Sequence, residues 1–136
     1  MNKKLIIFTD GGARGNPGPS GCGAVLKNEE NETIAEVSRY IGQATNNQAE
    51  YQAVIFALEK AADLKAEELI FYLDSELLVK QINGQYKVKN QELQKLFIKV
   101  FNKKAVFKKT SFFHISREKN KEADKLANLA MDNKNL

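Results

Sequence analysis

The sequence predicts a single α/β domain over residues 1–136. Three observations carry this. Apolar runs and helical patterns follow one another in the order β-β-β-α-β-α-α-β-α. No Pro/Gly/Ser-rich linker, low-complexity tract or internal repeat divides the chain. The length, 136 residues, is usual for one domain, and 43% hydrophobic residues suffice for a real core.

Leu5-Ile6-Ile7-Phe8 predicts a first strand over residues 4–10, ended by Asp10 and followed by a loop rich in Gly and Pro. Strands at residues 21–28 and 32–41, joined by the turn Asn28-Glu29-Glu30-Asn31, extend it into an antiparallel meander. "TNNQAEYQAVIFALEKAADL" opens with good N-cap residues and continues as an Ala-rich helix. "EELIFYLD" is nearly all apolar, the pattern of a strand covered on both faces. Asp74-Ser75 caps a second, short helix that ends near Asn83-Gly84. A third helix starts near Asn90 and places Leu93, Leu96, Phe97 and Val100 on one face. "SFFHIS" is the last strand and "REKNKEADKLANLAM" the last helix.

Composition narrows the function classes. Met1-Asn2-Lys3-Lys4 precedes only four apolar residues, too few for a signal sequence or a membrane span, so a cytoplasmic protein without a membrane partner is expected. The single cysteine, Cys22, excludes an internal disulfide; flanked by Gly21 and Gly23, it reads as a small core residue. The net charge of +4, with lysines concentrated between Lys80 and Lys125, favours a polyanionic partner weakly, because a solvated basic face has the same signature.

The acids are more telling. Residues 50, 54, 57, 58 and 61 share one helical face, and the last four are Val54, Ala57, Leu58 and Ala61, so Glu50 stands at the end of a buried stripe. Asp10 and Asp74 each end a buried strand, where open α/β sheets bind ligands. Asp124 adjoins the stripe of Ala123, Ala127 and Met131. Two like charges about 4 Å apart repel by about 4 kcal/mol at an effective dielectric near 20. A convergence of these acids therefore demands raised pKa values or a compensating cation. Without a His/Cys cluster, an all-oxygen set suits Mg²⁺, Mn²⁺ or Ca²⁺ rather than Zn²⁺.

"TDGGARGNPGPSGCGAVL", "TNNQAEYQAVIFAL", "LDSELLVKQING" and "REKNKEADKLANLA" resemble type 1 ribonuclease H, in the family's order and over nearly the whole chain. The resemblance implies the ribonuclease H-like fold: a five-stranded mixed sheet, an antiparallel meander plus two parallel strands, with helices on both faces. It implies a metal-dependent endoribonuclease that hydrolyses the RNA strand of RNA/DNA hybrids and leaves 5′-phosphate and 3′-hydroxyl ends. Two Mg²⁺ ions per site are implied, with Mn²⁺ as a substitute. The family's four catalytic, metal-binding acids fall on Asp10, Glu50, Asp74 and Asp124, with Asp10 as the bridging ligand. Asn46 and Asn47 match residues that contact the RNA strand from the minor groove; Asn16 and Thr45 match backbone contacts. Gly11, Gly12 and Gly15 are expected to let the backbone approach a sugar-phosphate closely.

The match also departs from some relatives. The only histidine, His114, lies inside the predicted last strand and reads as structural; Arg117 occupies the matching loop and is a candidate phosphate contact. Between Gly84 and Asn90 there is no room for a long basic handle, nor along the chain for an added hybrid-binding domain. Substrate grip is then expected from the main body, helped by Lys103, Lys104, Lys108 and Lys109. A monomer is expected, since no oligomer interface stands out. Two other readings remain open at this point. One is a related nuclease that prefers double-stranded RNA or RNA–DNA junctions. The other is a non-catalytic hybrid-binding module, against which the acids argue by repelling phosphate.

Overall fold

In the computed structural model, which describes residues 3–134, apolar alternation along Lys4–Ala13 makes the central strand, β1. Leu5, Ile7 and Thr9 point into one layer of the core and are buried. β2 (Gly18–Lys27) and β3 (Thr33–Ala44) complete the antiparallel meander, and the turn at Asn28–Asn31 is closed by Asn28 N–H donating to the Glu32 carbonyl at 2.9 Å. Helix α1 (Asn46–Asp63) leads to β4 (Glu68–Leu73), which pairs parallel with β1. Helices α2 (Glu76–Ile82) and α3 (Gln91–Lys104) precede β5 (Lys109–His114), parallel to β4, and α4 (Lys121–Asn133) ends the chain. The sheet order is β3-β2-β1-β4-β5, the five-stranded mixed sheet expected.

Helices cover both faces. α1 packs on the face of Leu5, Ile7, Leu69 and Phe71 through Val54, Ala57, Leu58 and Ala61, and α3 lies against α1 through Leu93 and Val100. α4 covers the opposite face over β2, where a Cβ on Gly23 would stand 2.2 Å from the Ala123 carbonyl oxygen. Only glycine lets that helix sit so close.

Some boundaries differ from the sequence-based expectation. β1 runs past Asp10 to Ala13, because Gly11, Gly12 and Ala13 stay paired with Cys22, Gly21 and Ser20; the loop shrinks to residues 14–17. What ends at Thr9 is the pairing of β1 with β4, whose last partner is Leu73. β4 is covered fully on one face only: Leu69, Phe71 and Leu73 are buried, while Ile70 and Tyr72 are half-buried. Its other face carries a row of rings, Phe8 on Tyr72 at 5.4 Å and Tyr72 on Phe113 at 5.9 Å between centroids. The last helix starts later than read, since residues 117–119 form a 3-10 turn and Asn120 separates it from α4.

Candidate active site

The carboxylates converge where β1 loses β4 as a neighbour. Asp10 and Asp74 each follow the last β1–β4 pair, Thr9 and Leu73, so parallel register brings them side by side. Glu50 enters from the first turns of α1, whose N-cap, Thr45, accepts from Gln48 N–H at 3.1 Å while Gln48 Oε1 accepts from Thr45 N–H at 2.9 Å. One carboxylate oxygen from each of Asp10, Glu50 and Asp74 lies within 4.8 Å of the others. Asp124, on the first turn of α4, is exposed and borders the same cleft of about 450 Å³.

This crowding raises proton affinity. Burial, then the charge of Asp74 and the neighbouring Asp124 and Glu50, pushes the Asp10 carboxyl up to about 8. Burial raises Glu50 to about 7; a hydrogen bond from Ser75 and the charge of Arg117 work against it, and Asp74 works with it. A cluster of carboxylates this costly to ionise suits a divalent cation that compensates them, and the all-oxygen donor set fits Mg²⁺ or Mn²⁺.

The other expected residues separate into two groups. Gly11, Gly12, Asn46 and Arg117 line the cleft with the acids; Gly15, Asn16, Thr45 and Asn47 do not. Gly11 has a packing reason for its identity, since a Cβ there would lie 2.2 Å from the Ala49 carbonyl oxygen. Gly15 sits in the hairpin loop at φ +100°. Asn16 Oδ1 accepts from Asn46 N–H at 3.1 Å, and Asn46 Oδ1 accepts from Ala13 N–H at 2.8 Å, which pins the loop to the start of α1. Thr45 is engaged in its capping box, and Asn47 is half-buried on the first turn of α1.

His114 ends β5 and is exposed, so it does not pack in the core as a structural histidine would. Lys103 and Lys108 pair with Glu59 and Glu67 at 3.0 and 3.3 Å. Lys109 starts β5, at the opposite end of the sheet from Asp74. Cys22 is the core residue expected: fully buried, its Sγ 3.3 Å from the Ala49 carbonyl oxygen, its thiol pushed up to about 12 by burial and the nearby Asp10 charge.

Four side chains escaped the sequence reading. Arg14 lines the cleft and holds Asp132 at 2.7 Å and Asn128 Oδ1 at 3.3 Å. Asn128 in turn donates to Asp124 Oδ1 at 3.3 Å. Ser75, besides capping α2, favours the ionised form of Glu50. Asn120, 1% exposed, donates from Nδ2 to the Thr9 carbonyl at 2.9 Å and to Asp74 Oδ2 at 3.0 Å. Adjacency to Asp74, and a one-turn offset from Asp124, were the available signals for Ser75 and for Asn120 and Asn128.

A five-stranded mixed sheet of this order, with acids gathered where β1 and β4 cease to pair, defines a ribonuclease H-like α/β protein with an oxygen-rich cluster suited to a divalent cation. Residues 8–130 match the family described as reverse transcriptase-like. The chain is 43% identical over 130 residues to the bifunctional protein Rv2228c of Mycobacterium tuberculosis, covering 95% of this chain and 36% of that protein. It thus spans about a third of the length of the mycobacterial relatives it matches. It is 34% identical over 148 residues to the ribonuclease H of Prosthecochloris aestuarii, covering 98% of this chain and 99% of that one. Among solved structures, LC11-RNase H1 in complex with an RNA/DNA hybrid superposes with a TM-score of 0.92 at 46% identity, covering 96% of this chain and 98% of that one. The chain belongs to the type 1 ribonuclease H family.

Proposed function

We propose that this chain is a divalent-metal-dependent endoribonuclease that hydrolyses the RNA strand of RNA/DNA hybrids, leaving 5′-phosphate and 3′-hydroxyl ends. One observation carries the reading: Asp10, Glu50 and Asp74 present oxygens within 4.8 Å of one another in an open cleft beside exposed Asp124. Asp10, Glu50, Asp74 and Asp124 would hold two Mg²⁺, or Mn²⁺ in their place. Bound there, the ions supply a more acidic water for attack and charge compensation at the departing 3′ oxygen.

The chain's own residues place the substrate. Asp10, on the central strand with oxygens of Glu50 and Asp74 within 4.8 Å, would be the ligand that both ions share. Arg117, exposed at the rim and close enough to stabilise ionised Glu50, is suited to a phosphate of the scissile strand. Asn46, whose Oδ1 is committed to Ala13, offers its Nδ2 group to the RNA strand, where the 2′-hydroxyl accepts. Gly12, where an added Cβ would meet only Asn46 Oδ1, at 3.9 Å, lets the β1 backbone approach a sugar. Gly11 lines the cleft beside it, and Gly15, Asn16, Thr45 and Asn47 shape that edge from outside the cleft. The relative seen with a hybrid bound supports the substrate class. The same proposal makes the enzyme a monomer in the cytoplasm; among the described residues no helix is long and apolar enough to cross a membrane.

The test is cleavage of end-labelled hybrid, duplex RNA, an RNA–DNA junction and duplex DNA, with Mg²⁺ and Mn²⁺ varied, by wild type and Asp10→Asn. Metal-dependent cuts in the hybrid's RNA strand, absent in the variant, are expected. Preference for duplex RNA or a junction would reassign the substrate, and hybrid binding without product at any metal concentration would leave a binding module.

A further inference from the structure

Asn120 occupies the N-cap position of α4, yet its side chain makes no capping bond to that helix. It turns inward and spends both N–H groups on acceptors, the Thr9 carbonyl at 2.9 Å and Asp74 Oδ2 at 3.0 Å. That pairing fixes the amide's orientation, because a flipped amide would set Oδ1 against two acceptors. The remaining Oδ1 is buried without a partner among the described residues. A buried acceptor left unpaired lowers stability, so packing alone does not explain an asparagine here; its two donor bonds do.

Those bonds reach unusual partners. Thr9 precedes Asp10 on β1, and Asp74 follows the last paired residue of β4. Asn120's own carbonyl accepts from Asp124 N–H at 3.1 Å. One residue therefore touches the backbone beside Asp10, the side chain of Asp74 and the backbone of Asp124. With Oδ2 of Asp74 held, the carboxylate can turn little and its Oδ1 keeps one direction. We infer that Asn120 is a positioning residue that locks Asp74 and ties α4, with Asp124, to the carboxylate cluster, so that the site is pre-formed for its cation. This rests on the reading of Asp74 as a metal ligand.

The test measures Mn²⁺ affinity directly, by calorimetry and by electron paramagnetic resonance of free Mn²⁺, with the full chain without substrate. Variants are Asn120→Ala, Asn120→Asp, Asp74→Asn and the double Asp74→Asn/Asn120→Ala. Loss of an orienting partner weakens metal affinity by about 10- to 100-fold. Asn120→Ala and Asn120→Asp should show that loss, whereas adding Asn120→Ala to Asp74→Asn should change affinity by less than twofold. In the wild type, the Asn120 side-chain amide signals in a ¹⁵N spectrum should shift on Mg²⁺ titration, and Asp74→Asn should abolish the shift. This readout does not depend on whether the Asn120 variants fold. Unshifted amide signals, wild-type affinity in a folded Asn120 variant, or an equal loss in the Asp74→Asn background would overturn the inference. A wild type that binds no Mn²⁺ would instead remove the metal-site reading itself.

Discussion

The Cα of Gly11 faces the Ala49 carbonyl so closely that an added Cβ would stand 2.2 Å from its oxygen. This contact seats α1 on β1 one residue from Glu50 and one from Asp10, so it sets how far apart the two acids lie. Gly11→Ala must push the helix away. Overpacking of this kind costs about 1–3 kcal/mol. The variant is expected to lose about that much unfolding free energy, read as a lower urea midpoint at unchanged slope, and to weaken Mn²⁺ binding, because Glu50 moves with α1. Unchanged stability and affinity would show that α1 adjusts freely.

The acid cluster makes stability depend on pH with a defined sign. Asp10 rises from 3.8 to about 8 and Glu50 from 4.5 to about 7, both chiefly through burial. The folded chain therefore holds protons that the unfolded chain has released. Stability from these groups is full below about pH 4 and is lost as pH rises toward 7–8, at up to about 1.4 kcal/mol per pH unit for each retained proton. In EDTA, the wild-type urea midpoint should fall between pH 5 and pH 8. Asp10→Asn, which removes the costly charge, should flatten that fall, and saturating Mg²⁺ should reverse it. A midpoint that climbs over this range without metal would contradict the shifts.

Sequence pattern made the acids legible because each violates a local rule that burial enforces. Glu50 stands on the apolar stripe of α1, and Asp124 borders that of α4, so helical spacing alone exposed them. Asn120 broke no such rule: it fell inside the stretch read as the last helix, and only the fold sets it before α4 with its side chain turned toward Thr9 and Asp74. Gly11 was read as freedom near a ligand, but a helix carbonyl from 38 residues on, at Ala49, is what excludes a side chain there. The continuous apolar run of β4 could not reveal that one face meets a half-open row of rings. The pairing of Lys103 with Glu59 is likewise invisible before α1 and α3 are packed together.

Arg117 gives the cleft a positive charge at the rim without an ion pair to any described acid. Arg117→Ala should raise KM for a hybrid more than it lowers kcat. It should also reduce the salt dependence of binding, since one phosphate contact accounts for about 0.9 in the slope of log affinity against log salt on duplex DNA. An unchanged slope together with unchanged KM would place Arg117 outside the substrate path.

Asn46 separates two roles that an alanine substitution would confuse. Its Oδ1 accepts from Ala13 N–H at 2.8 Å and holds the hairpin, while its Nδ2 group is free of that bond. Asn46→Asp keeps an acceptor for Ala13 and removes the donor, and it adds a negative charge where the RNA strand would lie. A hydrogen bond is worth about 0.5–1.5 kcal/mol net, and its loss beside a phosphodiester compounds with repulsion. Asn46→Asp should therefore keep wild-type thermal stability and cut hybrid cleavage at least about tenfold, the rate equivalent of 1.4 kcal/mol. Asn46→Ala should lose stability as well, because Ala13 N–H is left without its partner. If Asn46→Asp cleaves like the wild type, Asn46 serves only the hairpin and the RNA strand is recognised elsewhere.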